Sequence, residues 1–576
     1  MPLVFTHIGM VDHIRHELPS PAQDLITANP NFTYFGSMGP DFLYFYEKDW
    51  PVVGKISSVY LDIHDLLKKI TDLFKEIVDL YEATQTAVGN VADWISGGLY
   101  SSAQGLAEGL SATARAVLEK FVLDQKDFFE IMRPPINRYP ESTGVKKWWW
   151  SDIAHHRDTA KFARELWNRS IGDDELTAYC LGYFTHMGVD LIGHPYVNLL
   201  TGGPYRNHWR RHGYVERMLD THLWQQWYGQ SIFESNAHEL IKFEGTGGID
   251  EALPDKLTKL IADCLREVYE GYHIESGVPD EADVKHMYRL FFEWLEGTCS
   301  FGISRLLPPP DFKWFDLPDY IRDHIKGAIN RMPSVGQPPL LDPSDLRKWK
   351  AFLASLIKFA VWLTEMAVLI LTIPEATLAR LTTTQARYLI WLAMKSVHEL
   401  HEKVRLSFVI GGFLHPDPEQ IERYFKHVIS PPLDQYRRAI YPYEHAVPNS
   451  QQTYHLVHPM EIIGAINEPP RSHPVAEGNF PWQTPLDVFT GDPPPGGFNT
   501  LKAACDFARR RAVSGMYDSS FISAKWASVK IIEEFMSDGG ISIPNWNLDA
   551  DRGYGWPTWD TSFEPWHDEA DFTFQC

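Results

Sequence analysis

From Ile56 to Tyr81 the apolar residues recur every three or four positions: Ile56, Val59, Ile63, Leu66, Leu67, Ile70, Phe74, Ile77, Val78 and Tyr81. That step lays an apolar stripe along one face of a helix. The intervening charges, DLLKKITDLFKEIVDLYE, supply a solvated opposite face. The Ala-, Gly- and Ser-rich run 86–121 continues in helix. Upstream, residues 5–18 read as a short helix, and 28–51, with Pro, Gly and aromatics in GSMGPDFLYFY, as a loop. Residues 150–230 are helix-rich again, with DDEL at 173–176 supplying acids for a helix start. Two or three amphipathic helices fit 250–305, and a Pro-rich linker fits 307–345. A second, strongly apolar helical block spans 347–407 and is broken at Pro374.

From residue 430 onward Pro and Trp rise sharply, interrupted by one helix near 500–537. The final segment is too aromatic for simple disorder and is expected to wrap over a surface. Strand signals are few, so the pattern predicts an all-α fold. The expected domains are 1–51 with 145–305 as one body, 52–144 as a helical insertion, 306–430 as a second apolar block, and 431–576 as a Pro/Trp-rich C-terminal region.

Composition narrows the function classes. The chain has 576 residues, 44% of them hydrophobic, and a formal charge of −22. A surface that negative repels nucleic acid and anionic membranes on average. Its five cysteines are scattered, without a CxxC pair, which excludes a disulfide framework and a thiolate zinc site and fits a reducing compartment. The N-terminus, MPLVFTHIGMVDHIRHEL, has no secretory signal pattern. The longest apolar run, 352–373, is interrupted by Lys358 and Glu365 and ended by Pro374, which favours a buried or interface-lying helix over a membrane span. These features together lead to the expectation of a cytoplasmic protein, or one exported by a specialised route or peripheral to a membrane.

The chemistry is concentrated in THMGVDLIGH, residues 185–194. His186, Asp190 and His194 stand four apart, so each drifts only about 40° from the last on a 3.6-residue helix and all three share one stripe. His and Asp are standard zinc ligands. Gly182, Gly188 and Gly193 lie among them, where missing side chains let other backbone or a substrate approach. A second stripe follows in NHWRRHGYVERMLD, with His212 and Glu216 in the same i, i+4 relation and His208 and Asp220 extending it. Five liganding residues in step on two adjacent helices point to a metal site.

HxxxDxxxH followed by HxxxE resembles the zinc-dependent phospholipase C family, with spacing nearer the glycosylphosphatidylinositol-specific phospholipase D branch. Further stretches carry the likeness. THIGMVDHI resembles the family's first helix, with His7 as its histidine. GSMGPDFLYF resembles the early Pro-Asp loop, with Asp41 as ligand. AHHRDTAKFARELW resembles the helix before the central motif, with His155 favoured as ligand and His156 as the alternative. The resemblance implies an α-helical bundle, of the phospholipase C/P1 nuclease kind, holding two to three zinc ions. By that resemblance Asp41, His155, His186 and Asp190 would bind one zinc, His194, His212 and Glu216 a second, and His7 with a bridging Asp190 a third. In the secreted enzymes a processed N-terminal Trp completes that third site, whereas here Met1 precedes His7 by six residues.

The implied reaction is hydrolysis of a phospholipid phosphodiester by metal-activated water, with Asp41 as a ligand that also serves as base. The apolar blocks and the Trp-rich tail read either as a lipid-facing surface making peripheral membrane contact or as a second packed layer. The alternatives are a P1/S1-like nuclease or nucleotidase, which the charge disfavours, and a non-catalytic or membrane-active helical protein with a structural zinc cluster. Arg206, Arg210 and Arg211 are expected on a solvated helix face. His13, His16, His208 and His222 are expected at surface or packing positions, and the pairs His398 with His401 and His455 with His458 to be structural.

Overall fold

The computed structural model describes residues 3–49, 146–201, 205–244, 253–299, 306–334, 381–410, 414–422, 485–491, 523–546 and 548–549, with shorter pieces within 68–83 and 355–380 and single positions at 105, 109, 500 and 503. Every regular element among them is helical, which bears out the all-α expectation. Most of the insertion 52–144, the pair His455 and His458, and the Trp-rich end beyond residue 549 lie outside the described residues. The chain divides into two units, one of Met1–Ser57, Pro134–Ser300 and His415–Cys576, the other of Ser58–Arg133 and Phe301–Leu414.

Among the described residues of the first unit the α-helices longer than one turn are α1 (Val4–Arg15), α2 (Ser20–Ala28), α3 (Pro30–Gly36), α4 (Trp150–His156), α5 (Thr159–Ser170), α6 (Asp174–Thr201), α7 (Tyr205–Tyr228), α8 (Asp255–Tyr269), α9 (Glu281–Cys299), α10 (Pro485–Thr490) and α11 (Ala524–Asp538). α8 and α9 are the amphipathic pair expected from 250–305. The 28–51 stretch differs from its loop reading: α3 and a 3₁₀ turn, Gly39–Phe45, occupy it. Pro30 and Pro40 each sit in a first turn, where proline's missing N–H is no loss and its fixed φ helps. Both proline and glycine here start or reorient helices rather than break them.

α6 runs through the centre of the unit. From Ala178 to His194 every described side chain is buried, the mark of a helix packed on all sides. α1, α3, α5, α7, α10 and α11 all pack on it. Two of its glycines set the approach distances. A Cβ at Gly182 would collide with the Thr33 carbonyl of α3 and one at Gly188 with the backbone of Ser528 on α11. Ser528 Oγ also donates to the Thr185 carbonyl at 3.2 Å. Asp12 ties the N-terminal helices to α7, accepting from the hydroxyls of Tyr34 and Tyr228, each at 2.7 Å.

The second unit holds the helix Thr383–Ile410, on which Trp391 donates to the Leu307 carbonyl at 2.8 Å. His398 packs against Phe74, and His401 is 2% exposed. No described helix is long and apolar enough to cross a membrane. Burial, Arg405 and His398 depress the pKa of His401 to about 3. The unfolded chain would protonate near 6.5, so stability is intact above that pH and falls as the pH drops through the window toward 3. Lowering the pH from 7 to 5 should cost on the order of 2 kcal/mol, and His401→Gln should remove much of that sensitivity. Hydrogen exchange of the Thr383–Ile410 amides at the two pH values checks this.

Candidate metal centre

α6 presents His186, Asp190 and His194 on one stripe, all at most 1% exposed. Around Asp190 the other elements close in. Its Oδ2 lies 2.8 Å from His186 Nε2 and 3.5 Å from His155 Nε2. Its Oδ1 lies 3.2 Å from His7 Nε2 and 3.4 Å from His194 Nε2. Four histidines from α1, α4 and α6 thus face one carboxylate. Asp41, on the 3₁₀ turn, adds a second carboxylate, 3.4 Å from His155 and 4.0 Å from His7. On α7, His212 and Glu216 pair at 2.6 Å and form with His194 a second buried group.

Backbone carbonyls orient two of these rings. Nδ1 of His155 is 2.6 Å from the Ser151 carbonyl, and Nδ1 of His186 is 3.2 Å from that of Ser37. A proton on Nδ1 donated to each carbonyl leaves Nε2 bare toward the carboxylates, the tautomer a metal requires. Gly39, at φ +51°, brings the 3₁₀ turn against the His186 ring.

The donor set fits zinc. Imidazole nitrogen and carboxylate oxygen are its usual ligands. Two donors each about 2.0–2.1 Å from a tetrahedral zinc lie about 3.3 Å apart, close to most of the spacings around Asp190. His7 Nε2, His155 Nε2, His186 Nε2, both nitrogens of His194, and both oxygens of Asp41, Asp190 and Glu216 are buried without hydrogen-bond geometry to any partner. Buried polar atoms are ordinarily satisfied, and a shared cation satisfies them together. Three groups contain only the expected residues: His7, His186 and Asp190; Asp41, His155 and His186; and His194, His212 and Glu216.

The electrostatics agree. Burial opposes charge on His155, but Asp549, Asp190 and Asp41 outweigh it and hold its pKa well above the usual histidine value. His194 is pushed up to about 10, burial being overcome by Asp190 and Asp549. Burial alone would raise Asp190, yet His186 and His194 hold it well below the usual carboxylate range. For His186 burial prevails and its pKa is lowered. The site is thus a buried knot of carboxylates that demands positive charge at its centre.

All eight sequence-predicted residues come to these groups. Of the histidine pair on α4, His155 faces Asp41 and Asp190, while His156 turns to Asp549 at 3.3 Å and meets Trp148 edge-on. Asp220 leaves the α7 stripe for another task. Its Oδ1 accepts from the amide and hydroxyl of Thr6 at 2.8 and 2.7 Å, holding the start of α1 beside His7, and His415 Nε2 lies 3.1 Å from its Oδ2. His13 packs at a tilt against Trp227, His16 is exposed and His222 half-buried, all outside these groups. The side chains of Arg206, His208, Arg210 and Arg211 lie outside the described residues. One residue that sequence reasoning missed is Asp549, with Oδ1 3.3 Å from His194 Nδ1 and 4.0 Å from His155 Nε2. It lies in the irregular C-terminal stretch, where no periodicity marks a ligand.

Comparison with curated proteins and with solved structures finds no match for the chain. A family model described as zinc dependent phospholipase C matches residues 6–271, a span that contains the eight residues gathered around α6 and α7. With the helical fold and the buried His/Asp/Glu groups on the same segment, residues 6–271 are similar to the zinc-dependent phospholipase C family.

Proposed function

We propose that the first unit is a zinc-dependent phosphodiester hydrolase of the phospholipase C type, acting on a phospholipid. The observation that carries this reading is the convergence of eight buried donors from α1, the 3₁₀ turn, α4, α6 and α7 within the family-matched span. Asp41, His155, His186 and Asp190 would hold one zinc, His194, His212 and Glu216 a second, and His7 with Asp190 a third. Bound there, zinc supplies a Lewis acid for the phosphoryl oxygens and lowers the pKa of water at the site.

The protein's own groups do the rest. Asp41 accepts the proton of the attacking water as its oxygen bonds to phosphorus. The bond from phosphorus to the diacylglycerol oxygen breaks, and that oxygen takes the proton that Asp41 accepted from the water. Asp190, central to four histidines, gathers their Nε2 atoms around its two oxygens. The Ser151 and Ser37 carbonyls hold the His155 and His186 tautomers. Burial excludes bulk water and strengthens each of these interactions.

The test is a substrate panel with the full chain: phosphatidylcholine, other phospholipids and single-stranded DNA. Release of diacylglycerol is expected. Chelation should abolish it, and added zinc should restore it. DNA cleavage without lipid hydrolysis would replace this reading with the nuclease one. Tight zinc with neither activity would leave a structural cluster.

A further inference from the structure

Residues 540–549 lie far outside the family-matched span, yet they are bolted to the centre of the site. Arg164 on α5 donates to the Gly540 and Ile543 carbonyls at 3.2 and 2.9 Å. Asn545 Oδ1 accepts from the amides of Ala160 and Lys161, each at 3.0 Å. Those are free first-turn donors of α5, whose own N-cap, Asp158, makes no side-chain cap. The segment therefore caps a helix from nearly four hundred residues away. Thr159 Oγ1 donates to the Trp546 carbonyl at 2.9 Å, and the indole of Trp546 is fully buried. The Leu548 amide donates to the carbonyl of His155 at 2.9 Å. The next residue is Asp549, 1% exposed.

Asp549 Oδ1 lies between two histidines that belong to different proposed zinc positions, 3.3 Å from His194 Nδ1 and 4.0 Å from His155 Nε2. Asp549, His155 and Asp190 form a compact buried donor group of their own. His155 Nε2 and His194 Nδ1 are both buried with no hydrogen-bond geometry to any partner, as donors to a shared cation would be. Asp190 approaches those same two rings through its own carboxylate oxygens. The second oxygen of Asp549 faces His156 Nε2 at 3.3 Å, which fixes how the carboxylate is turned.

We infer that Asp549 is a metal ligand donated by the C-terminal segment, a carboxylate shared by the His155 and His194 positions. This rests on the zinc-site reading above. The physical ground is that three buried imidazoles from two helices surround one buried carboxylate on a segment anchored by six hydrogen bonds. A merely space-filling tail would place an apolar residue there, because an ionised group buried without a positive partner is costly. The consequence is that the catalytic centre is not confined to residues 6–271: the chain's far end completes it.

The experiment compares the full-length chain with Asp549→Asn and Asp549→Glu. Zinc content is measured after dialysis against a weak chelator, zinc affinity by competition, and the visible spectrum after cobalt(II) substitution. Asp549→Asn keeps the volume and should lose one equivalent of zinc or at least tenfold in affinity, with a changed cobalt spectrum. Asp549→Glu should recover part of the affinity with a spectrum distinct from wild type. Unchanged zinc content, affinity and spectrum in both variants would overturn the inference and leave the eight-residue site standing. A wild-type chain that takes up no zinc would instead sink the site reading itself. If Asp549→Asn does not fold, Asp549→Glu alone decides through its affinity and spectrum.

Discussion

Asp190→Asn should strip at least one zinc from the protein and lower phospholipid hydrolysis roughly a thousandfold or more, the loss of several kcal/mol of transition-state stabilisation. The substitution is nearly isosteric, so the fold has no steric reason to change. What changes is the centre of the site. Both Asp190 oxygens face histidine nitrogens, two apiece, at 2.8 to 3.5 Å. An amide offers one weaker donor oxygen and turns an NH₂ toward two of those rings. No other site residue faces as many partners, so no other single exchange should cost as much. Zinc should raise the melting temperature of wild type well above that of the variant, because only tight binding to the folded state stabilises it. Metal analysis, lipid turnover and a melting curve with and without zinc check this together. Full zinc content with turnover within tenfold of wild type would remove Asp190 from the role assigned to it.

The sequence made this residue visible for a physical reason. A ligand stripe on a long straight helix repeats every four positions, and α6 is one continuous helix from Asp174 to Thr201. The same holds for His212 and Glu216 on α7. His7 and Asp41 were different: each is a lone residue on its element, and only the likeness of THIGMVDHI and GSMGPDFLYF to family stretches pointed to them. The choice between His155 and His156 could not be made from spacing, since adjacent residues on a helix point about 100° apart and only the packing of α4 decides which faces inward. Asp549 had no signal at all. It sits on an irregular segment placed by capping and backbone hydrogen bonds to α5 and α4, contacts between residues remote in sequence that no local pattern encodes. The 28–51 stretch was misread because Pro and Gly were counted as breakers. Pro30 opens a seven-residue helix, and Gly39, at positive φ, starts a 3₁₀ turn, elements too short for apolar periodicity to reveal.

Gly39 links that misread turn to the chemistry, and Gly39→Ala should damage both. Its φ of +51° is the left-handed region, where a side chain costs roughly 1–2 kcal/mol. A Cβ there would also press on the His186 imidazole, within 2.7 Å of Nδ1 and closer still to two ring carbons. The ring cannot retreat freely: it stacks on His7 at 4.2 Å between centroids and is held by the Ser37 carbonyl. Overpacking of this kind adds about 1–3 kcal/mol. The total loss should therefore be about 2–5 kcal/mol of stability, and zinc affinity should fall by roughly 10–100-fold as the His186 tautomer contact is disturbed. Gly229→Ala separates the two effects. Gly229 has φ +68° with nothing near its missing Cβ, so that variant should show only the backbone cost and bind zinc as wild type does. Denaturant unfolding and zinc competition on both variants give the comparison. Equal losses in the two, with zinc affinity untouched in Gly39→Ala, would mean that the turn carries Asp41 into the site without setting the position of His186.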